Sequence, residues 1–379
     1  MKKIAIIAVL TLAVATLAAC GLQNTNQQQV AKEPIKIGAL FPLTGGLAMY
    51  GDPAQKVAQI AMDEINSQGG INGHKVEINF QDHQCSAPLA VSIFQQLSGA
   101  EGIKLYTSVA CSGTVLGTAP LLGNDHILLG TLITASAISG VSPSVFRNYA
   151  SDADGARLFA QYIADQKFKK VAMIYEETDY AKGLALGVKN NLAGKAVAIA
   201  AESYTSDSLD MRSQLAKLKA TNPDILFISP QTETAGDKIL KQMKEMNFHP
   251  KNLIVNENIY RSANLNKTYP DLLTGAISDD YVTVDNAKRQ HVLETYKTKY
   301  GADCPQINVC LNVYDDIYML AEAAGQSGLD ITKTRDYLKN IKYSGAGGDV
   351  SFNDKNDRSN AQFTLFVIKD GKGVKLESK

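Results

Sequence analysis

Tryptophan is absent from this chain, histidine occurs only five times, and 38 basic residues are matched by 38 acidic ones. Each shortage weighs against a class of function. Indole rings are a common platform for stacking sugars and bases, so their absence counts against such ligands, although 16 tyrosines offer a substitute. Zero net charge lacks the basic footprint that nucleic acid requires. The histidines are scattered and no C-x-x-C occurs, so the donor spacing of a zinc site is missing and no metal is expected. The Asn/Asp-rich stretch near residue 354 lacks the glycine and terminal glutamate of a calcium loop. The nucleophile elbow G-x-S-x-G is missing, as are a P-loop, H-E-x-x-H and G-x-G-x-x-G. His83 beside Asp82 reads as a structural pair. No catalytic activity and no cofactor are therefore expected. A bilayer span needs roughly 18–20 apolar residues, and the apolar run from Ile4 to Leu17 falls short of it.

That run has a different layout. Lys2 and Lys3 precede it and small residues follow, the order of a secretory signal over residues 1–19. Leu17-Ala18-Ala19-Cys20 resembles a bacterial lipobox, which implies cleavage before Cys20 and acylation of its thiol. Each buried acyl methylene contributes ~0.8 kcal/mol, and two or more chains anchor stably. Residues 20–33 then read as the acylated cysteine and a polar tether with nothing to bury. In an oxidising compartment Cys85, Cys111, Cys304 and Cys310 form an even set with three connectivities. Cys304 and Cys310 lie close enough for a local loop, which leaves Cys85 with Cys111. That bridge contributes on the order of 3 kcal/mol by loop entropy. A cysteine so committed is no nucleophile.

The 379 residues exceed one simple core, so two domains are expected. From Pro34 onward, short β-branched runs alternate with amphipathic patterns, the mark of doubly wound α/β sheets. The reading places a strand at 35–41, a helix capped by Asp52 with Pro53 in its first position, and further strands at 74–80, 103–110 and 126–131. The pattern restarts near 153 with strands around 170–176, 197–204, 224–229 and 252–257. Helices follow at 287–300 and about 313–324, and 350–368 reads as a hairpin. Internal repeats are not evident.

Ligand sites in open α/β sheets lie beyond the carboxyl ends of strands. Tyr50, Ser112, Thr134 and Glu257 occupy such places. Ser112 reads as the N-cap of a helix, an end that attracts a carboxylate. Glu257, an acid directly after an apolar strand, is suited to a cation. Together they would bracket a zwitterion.

The segment from Ile35 to Asp82 resembles the opening of the leucine/isoleucine/valine-binding family, type I periplasmic binding proteins that serve branched-chain amino acid ABC transporters. "CSAPLAV", "ACSGT", "IYEETDYAKGLA" and "INVCLNVYDDIYMLAEA" extend the resemblance over almost all of 34–379. It implies the type I periplasmic binding protein fold, two doubly wound α/β lobes joined by a three-segment hinge. One lobe would comprise 34–152 with 282–348, the other 153–281 with 349–379. It implies an extracytoplasmic receptor that binds an amino acid by hinge closure and works as a monomer with ABC permease subunits, held at the cell envelope by its lipid. By position it implies ligand contacts from Tyr50, Ser112, Thr134 with Ile133 beside it, Tyr180 and Glu257, and a Cys85–Cys111 disulfide. Two departures stand out: Leu132-Ile133 replaces a small pair, and Pro230, Gln231 and Thr232 replace a glycine pair and tyrosine. The second departure makes a polar wall from Thr232 an expectation. Other readings are a receptor for a small amide, urea or organic acid, and a sensing subunit on the same clamp.

Overall fold

A computed structural model describes residues 32–282 and 284–377. The signal, Cys20 and most of the tether lie outside those residues. From Pro34 the chain builds two sheets. The first takes β1 (Ile35–Phe41), β2 (Val76–Asp82), β3 (Leu105–Val109), β4 (Ile127–Thr131) and β5 (Val145–Arg147), in the order β2-β1-β3-β4-β5 and parallel throughout. Their connections are α1 (Ala48–Ser67), α2 (Ala87–Ala100) and α3 (Ser112–Leu122). After α4 (Asp152–Asp165) the second sheet begins. It holds β6 (Lys170–Glu176), β7 (Ala198–Tyr204), β8 (Ile225–Ser229), β9 (Leu253–Val255) and β10 (Ile277–Tyr281). Between them run α5 (Asp179–Asn191), α6 (Arg212–Ala220), α7 (Glu233–Glu245) and the short α8 (Glu257–Tyr260), α9 (Ala263–Thr268) and α10 (Pro270–Leu273).

Three further helices, α11 (Ala287–Tyr300), α12 (Ile307–Gln326) and α13 (Ile331–Lys339), precede the small ribbon β11 (Tyr343–Gly345) and β12 (Gly348–Val350). The last strands, β13 (Phe363–Lys369) and β14 (Lys372–Lys375), join the second sheet, whose order is β14-β13-β10-β9-β8-β6-β7. Both sheets carry helices on both faces. In the first, Val57, Ile60 and Ala61 of α1 share a core with Val313, Ile317 and Leu320 of α12, while Phe94 and Leu97 of α2 pack opposite with Val115 of α3. In the second, α6 to α10 cover one face, and α4 with α5 cover the other. Both disulfides, Cys85–Cys111 and Cys304–Cys310, are present.

Two local readings are corrected. The first helix does not start at Asp52. It begins at Ala48 with Pro53 inside, because Leu47 O accepts from Tyr50 N–H and Gly51 N–H one turn earlier. Burial of that extra turn offsets the bond that proline removes. Gly51 is required there, since a Cβ would stand 2.1 Å from the Pro42 carbonyl oxygen. The hairpin expected over 350–368 is shorter than read: an antiparallel bridge between Phe352 and Arg358 closes the Asn/Asp-rich turn, while Val350 pairs with Tyr343 and β13 with β10 and β14. A further hairpin, β13–β14, turns at Asp370-Gly371, both with positive φ.

The chain passes between the sheets three times, after β5, after β10 and before β13. Each passage supplies an aromatic ring. Tyr149 lies 4.5 Å from Tyr281 and 6.1 Å from Phe363, centroid to centroid. Beside them Arg358, buried, donates through Nη1 to Asn148 Oδ1 (3.1 Å) and Asn312 Oδ1 (2.9 Å), and through Nη2 to the Gly347 and Asp349 carbonyls. Three of these bonds, to Asn148, Asn312 and Gly347, are buried, and their acceptors depend on this one side chain. Arg358→Ala is therefore expected to cost about 3–5 kcal/mol, the range for breaking buried charged networks. Chemical denaturation checks it; a loss within 0.5 kcal/mol, roughly the scale of an ordinary surface change, would contradict the network's role.

Candidate functional site

The carboxyl ends of both sheets meet at one narrow cavity. From the first come Leu47 and Tyr50 after β1, Ala110, Cys111 and Ser112 after β3, and Leu132 and Thr134 after β4. From the second come Tyr180 of α5, Gln231 after β8, and Glu257 and Asn258 after β9. Its volume is about 10 Å³, about the space of one water, so the two walls stand close against each other. An outer cleft of about 530 Å³ adjoins it, sharing Leu47, Cys111, Tyr180 and Gln231.

The first wall is shaped by backbone of unusual geometry. Ala110, Cys111 and Leu132 have φ of 58°, 53° and 54°, the left-handed region that side chains avoid. Such residues cost on the order of 1–3 kcal/mol each and cluster at functional sites. Cys111, held by Cys85, is the N-cap position of α3, so Ser112 is the first helical residue and not the cap expected from sequence. Its hydroxyl oxygen instead accepts from Ala135 N–H at 3.1 Å. That bond joins the α3 start to the loop bearing Thr134. The N-terminal amides of α3 remain beside it, suited to an anion. Gly113 lets the start of α5 approach closely: a Cβ there would meet Asp179 Oδ2 at 2.7 Å.

The opposite wall is acidic. Glu257 is buried, and Arg261, one helical turn on, stands 3.3 Å from its Oε2. The guanidinium is held closer by Asp280, at 2.5 Å, and donates to Tyr149 Oη at 2.9 Å. Glu257 Oε2 consequently has no hydrogen-bond partner. Burial raises the Glu257 carboxyl above the ordinary range, and Arg261 opposes that rise. Burial works against the charge on Arg261, yet Asp280, Tyr149 and Glu257 hold its pKa well above its ordinary value. Behind Glu257 stand two more buried carboxyls. Burial and then Glu257 push Asp152 up to about 8, with Thr134 and Arg147 opposing. Asp279 is raised well above its usual value by burial, then by Glu257 and Asp152. Arg147 is no free counter-charge, because it is paired with Asp357 at 2.7 Å. The local balance favours an incoming cation.

Five of the seven residues expected from sequence, Tyr50, Ser112, Thr134, Tyr180 and Glu257, are brought together here. Two are not. Ile133 points into the core beside Leu40 and Phe94, so near Gly130 that a Cβ on that glycine would lie 2.9 Å from it. The left-handed turn at Leu132 sends Leu132 to the cavity in its place. Thr232 borders only the outer cleft, its hydroxyl oxygen accepting from Ala235 N–H to cap α7. The sequence reading missed Asn258, whose Oδ1 accepts from Tyr50 Oη at 2.8 Å across the cavity and whose Nδ2 donates to the Pro230 and Gln231 carbonyls. It also missed Arg261, Asp152 and Asp279; only Arg261, four residues after Glu257, carried a signal in its spacing. Among the described residues no group of His, Cys, Asp and Glu could hold a metal ion.

With this geometry in place, comparison with known proteins becomes decisive. Residues 34–373 match the periplasmic binding protein family, and the chain belongs to it. The fold is that of type I periplasmic binding proteins. The Leu/Ile/Val-binding protein homolog 3 of Brucella melitensis is 25% identical over 358 residues, covering 90% of this chain and 94% of its own. Among solved structures, the isoleucine-bound substrate-binding protein of a Streptococcus pneumoniae branched-chain amino acid transporter superposes with a TM-score of 0.75 at 21% identity, over 90% of this chain and 100% of that one. A benzoate-bound solute-binding protein of an R. palustris ABC transporter gives 0.75 at 17% identity, over 90% and 95%.

The buried acids generate a pH dependence. Asp152, with a pKa of about 8, keeps a proton in the folded state that the unfolded chain releases near pH 4. The folded state thus binds more protons across that window, and stability contributed by this group is lost as pH rises from roughly 4 to 8. Asp152→Asn cannot ionise. Its melting temperature should fall less between about pH 5 and 8 than that of the parent protein. An equal fall in both would contradict the shift.

Proposed function

We propose that the protein is the extracytoplasmic substrate-binding subunit of an ABC transporter of the branched-chain amino acid type. In this reading it is lipid-anchored through Cys20, acts as a monomer and takes one α-amino acid between two lobes, 34–152 with 282–348 and 153–281 with 349–379. One observation carries the reading: the α3 start with Ser112 and Thr134 faces Glu257 and Tyr180 across a single small cavity. The first pair suits a carboxylate and the second an ammonium. Each charge-assisted hydrogen bond contributes about 1.5–3 kcal/mol, so a few suffice for micromolar affinity, about −8 kcal/mol. The Tyr50–Asn258 bond already spans the domains, which supports closure over the ligand.

A second reading, a receptor for an acid that lacks an amine, draws on Arg261: Glu257 already has a cation 3.3 Å away. Glu257 Oε2 accepts no hydrogen bond, which leaves it open to an ammonium and favours the amino acid. Calorimetry on refolded, ligand-free protein decides between them. An α-amino acid should bind, its des-amino analogue should bind at least tenfold more weakly, and Glu257→Gln should remove that difference. Equal binding of both compounds would sink the amino-acid reading. The anchor has its own check: labelled fatty acid should enter the protein made in bacteria and be lost in Cys20→Ser, while labelling that survives the substitution would contradict it.

A further inference from the structure

We infer that the Asn/Asp-rich turn at residues 353–358, which lies outside the cavity, sets Ser112 as a hydrogen-bond donor to the ligand through Arg147 and the peptide after Thr134. Asp357 and Arg147 are then positioning residues for Ser112. This rests on the amino-acid reading above and concerns residues to which that reading gives no part.

The chain of contacts starts at a cation. Arg147 in β5 is wholly buried. Its Nη1 faces three successive carbonyls: it donates to Thr134 O at 3.1 Å and Ala135 O at 3.0 Å, with Ile133 O at the limit of reach, 3.5 Å. The Thr134 carbonyl shares a peptide with the Ala135 N–H, and that N–H donates to Ser112 Oγ at 3.1 Å. A positive charge at the carbonyl end polarises the peptide and strengthens its N–H as a donor. A serine hydroxyl has one proton to give. With its oxygen already accepting from Ala135, Ser112 keeps that proton for the cavity it lines, where the amino-acid reading puts a carboxylate.

The turn holds Arg147 in this pose. Asp357 Oδ1 forms an ion pair with Nη2 at 2.7 Å. The backbones are tied as well: Arg147 N–H donates to the Asn356 carbonyl at 2.9 Å, and Arg358 N–H to the Arg147 carbonyl at 3.0 Å. Internal bonds shape the turn itself. Asn353 Oδ1 accepts from the Lys355 and Asp357 N–H groups, and Asn356, at φ 60°, donates from Nδ2 to the Pro143 carbonyl. The stretch that lacks the pattern of a calcium loop thus has another use. Asp152, buried at the start of α4, is near enough to act on the charge of Arg147. Without the Asp357 charge, the guanidinium would turn toward Asp152 and release the three carbonyls.

Calorimetric titration of the refolded chain with the twenty common amino acids selects the tightest binder as the probe. Asp357→Asn should weaken its binding at least fivefold. Asp354→Asn, which removes the same charge from an exposed position of the same turn, should stay within twofold. In a Ser112→Ala background, Asp357→Asn should cost less than twofold, because the group through which it acts is gone. Arg147→Lys, which keeps the charge but not the fork, should repeat this pattern; if it does not fold by circular dichroism, Asp357→Asn decides alone. Should Ser112→Ala bind too weakly to titrate, the amino alcohol of the probe, which lacks the carboxylate, replaces that arm, and Asp357→Asn should leave its affinity within twofold. Unchanged probe affinity in folded Asp357→Asn would overturn the inference and leave the amino-acid reading intact. So would equal losses in both backgrounds, the mark of general loosening. A parent protein that binds none of the twenty would overturn that reading and this inference with it.

Discussion

The Arg261 guanidinium is the point on which the two halves of the site depend. It is a buried cation that can persist only where carboxylates surround it. Asp280, at 2.5 Å, satisfies it from the end of β10, and Tyr149 accepts from the passage after β5. Glu257 is thereby left close to a positive charge without being consumed by it. One side chain thus sets the acidity of the ligand wall and ties that wall to two of the three passages between the sheets. A change in the charge facing Glu257 alters the field at Tyr149 and Asp280, at the base of those passages.

Around that contact the fold is economical. Each sheet presents its strand ends to the same small volume, and the loops there are short. The positive-φ residues Ala110, Cys111 and Leu132 allow those loops to turn at once. The Cys85–Cys111 bridge holds one of them, and the Ser112–Ala135 bond holds the loop bearing Thr134. Fixed dipoles and a buried acid on opposite walls would cost little reorganisation for the zwitterion proposed above, since the groups are already in place.

Much of this was legible in the sequence, for definite reasons. The strand–helix alternation is written in periodicity, and α11 spans Ala287–Tyr300, the range its pattern indicates. Glu257 and Ser112 stood out because polar residues directly after apolar strands are conspicuous. Other features left no local trace. β5 is three residues long, too short for a pattern. Val350 and Phe363 are both strand residues whose partners lie elsewhere, so the hairpin closes only around the Asn/Asp-rich turn, at Phe352 and Arg358. A left-handed Leu132 cannot be inferred from a leucine codon, and it decided which of Leu132 and Ile133 faces the ligand. Gln231 and Asn258 matter only because β8 and β9 end opposite β1, a relation between distant segments that no spacing encodes.

The most direct test of a zwitterion held between the α3 start and Glu257 is a crystal structure of the protein with the ligand it retains on purification from its host. The predicted result is density in the inner cavity with a carboxylate within hydrogen-bond reach of Ser112 and Thr134. An amine should stand against Glu257 Oε2, with Arg261 still on Asp280. A ligand that lacks an amine, one whose carboxylate points instead at Arg261, or one confined to the outer cleft would contradict the account.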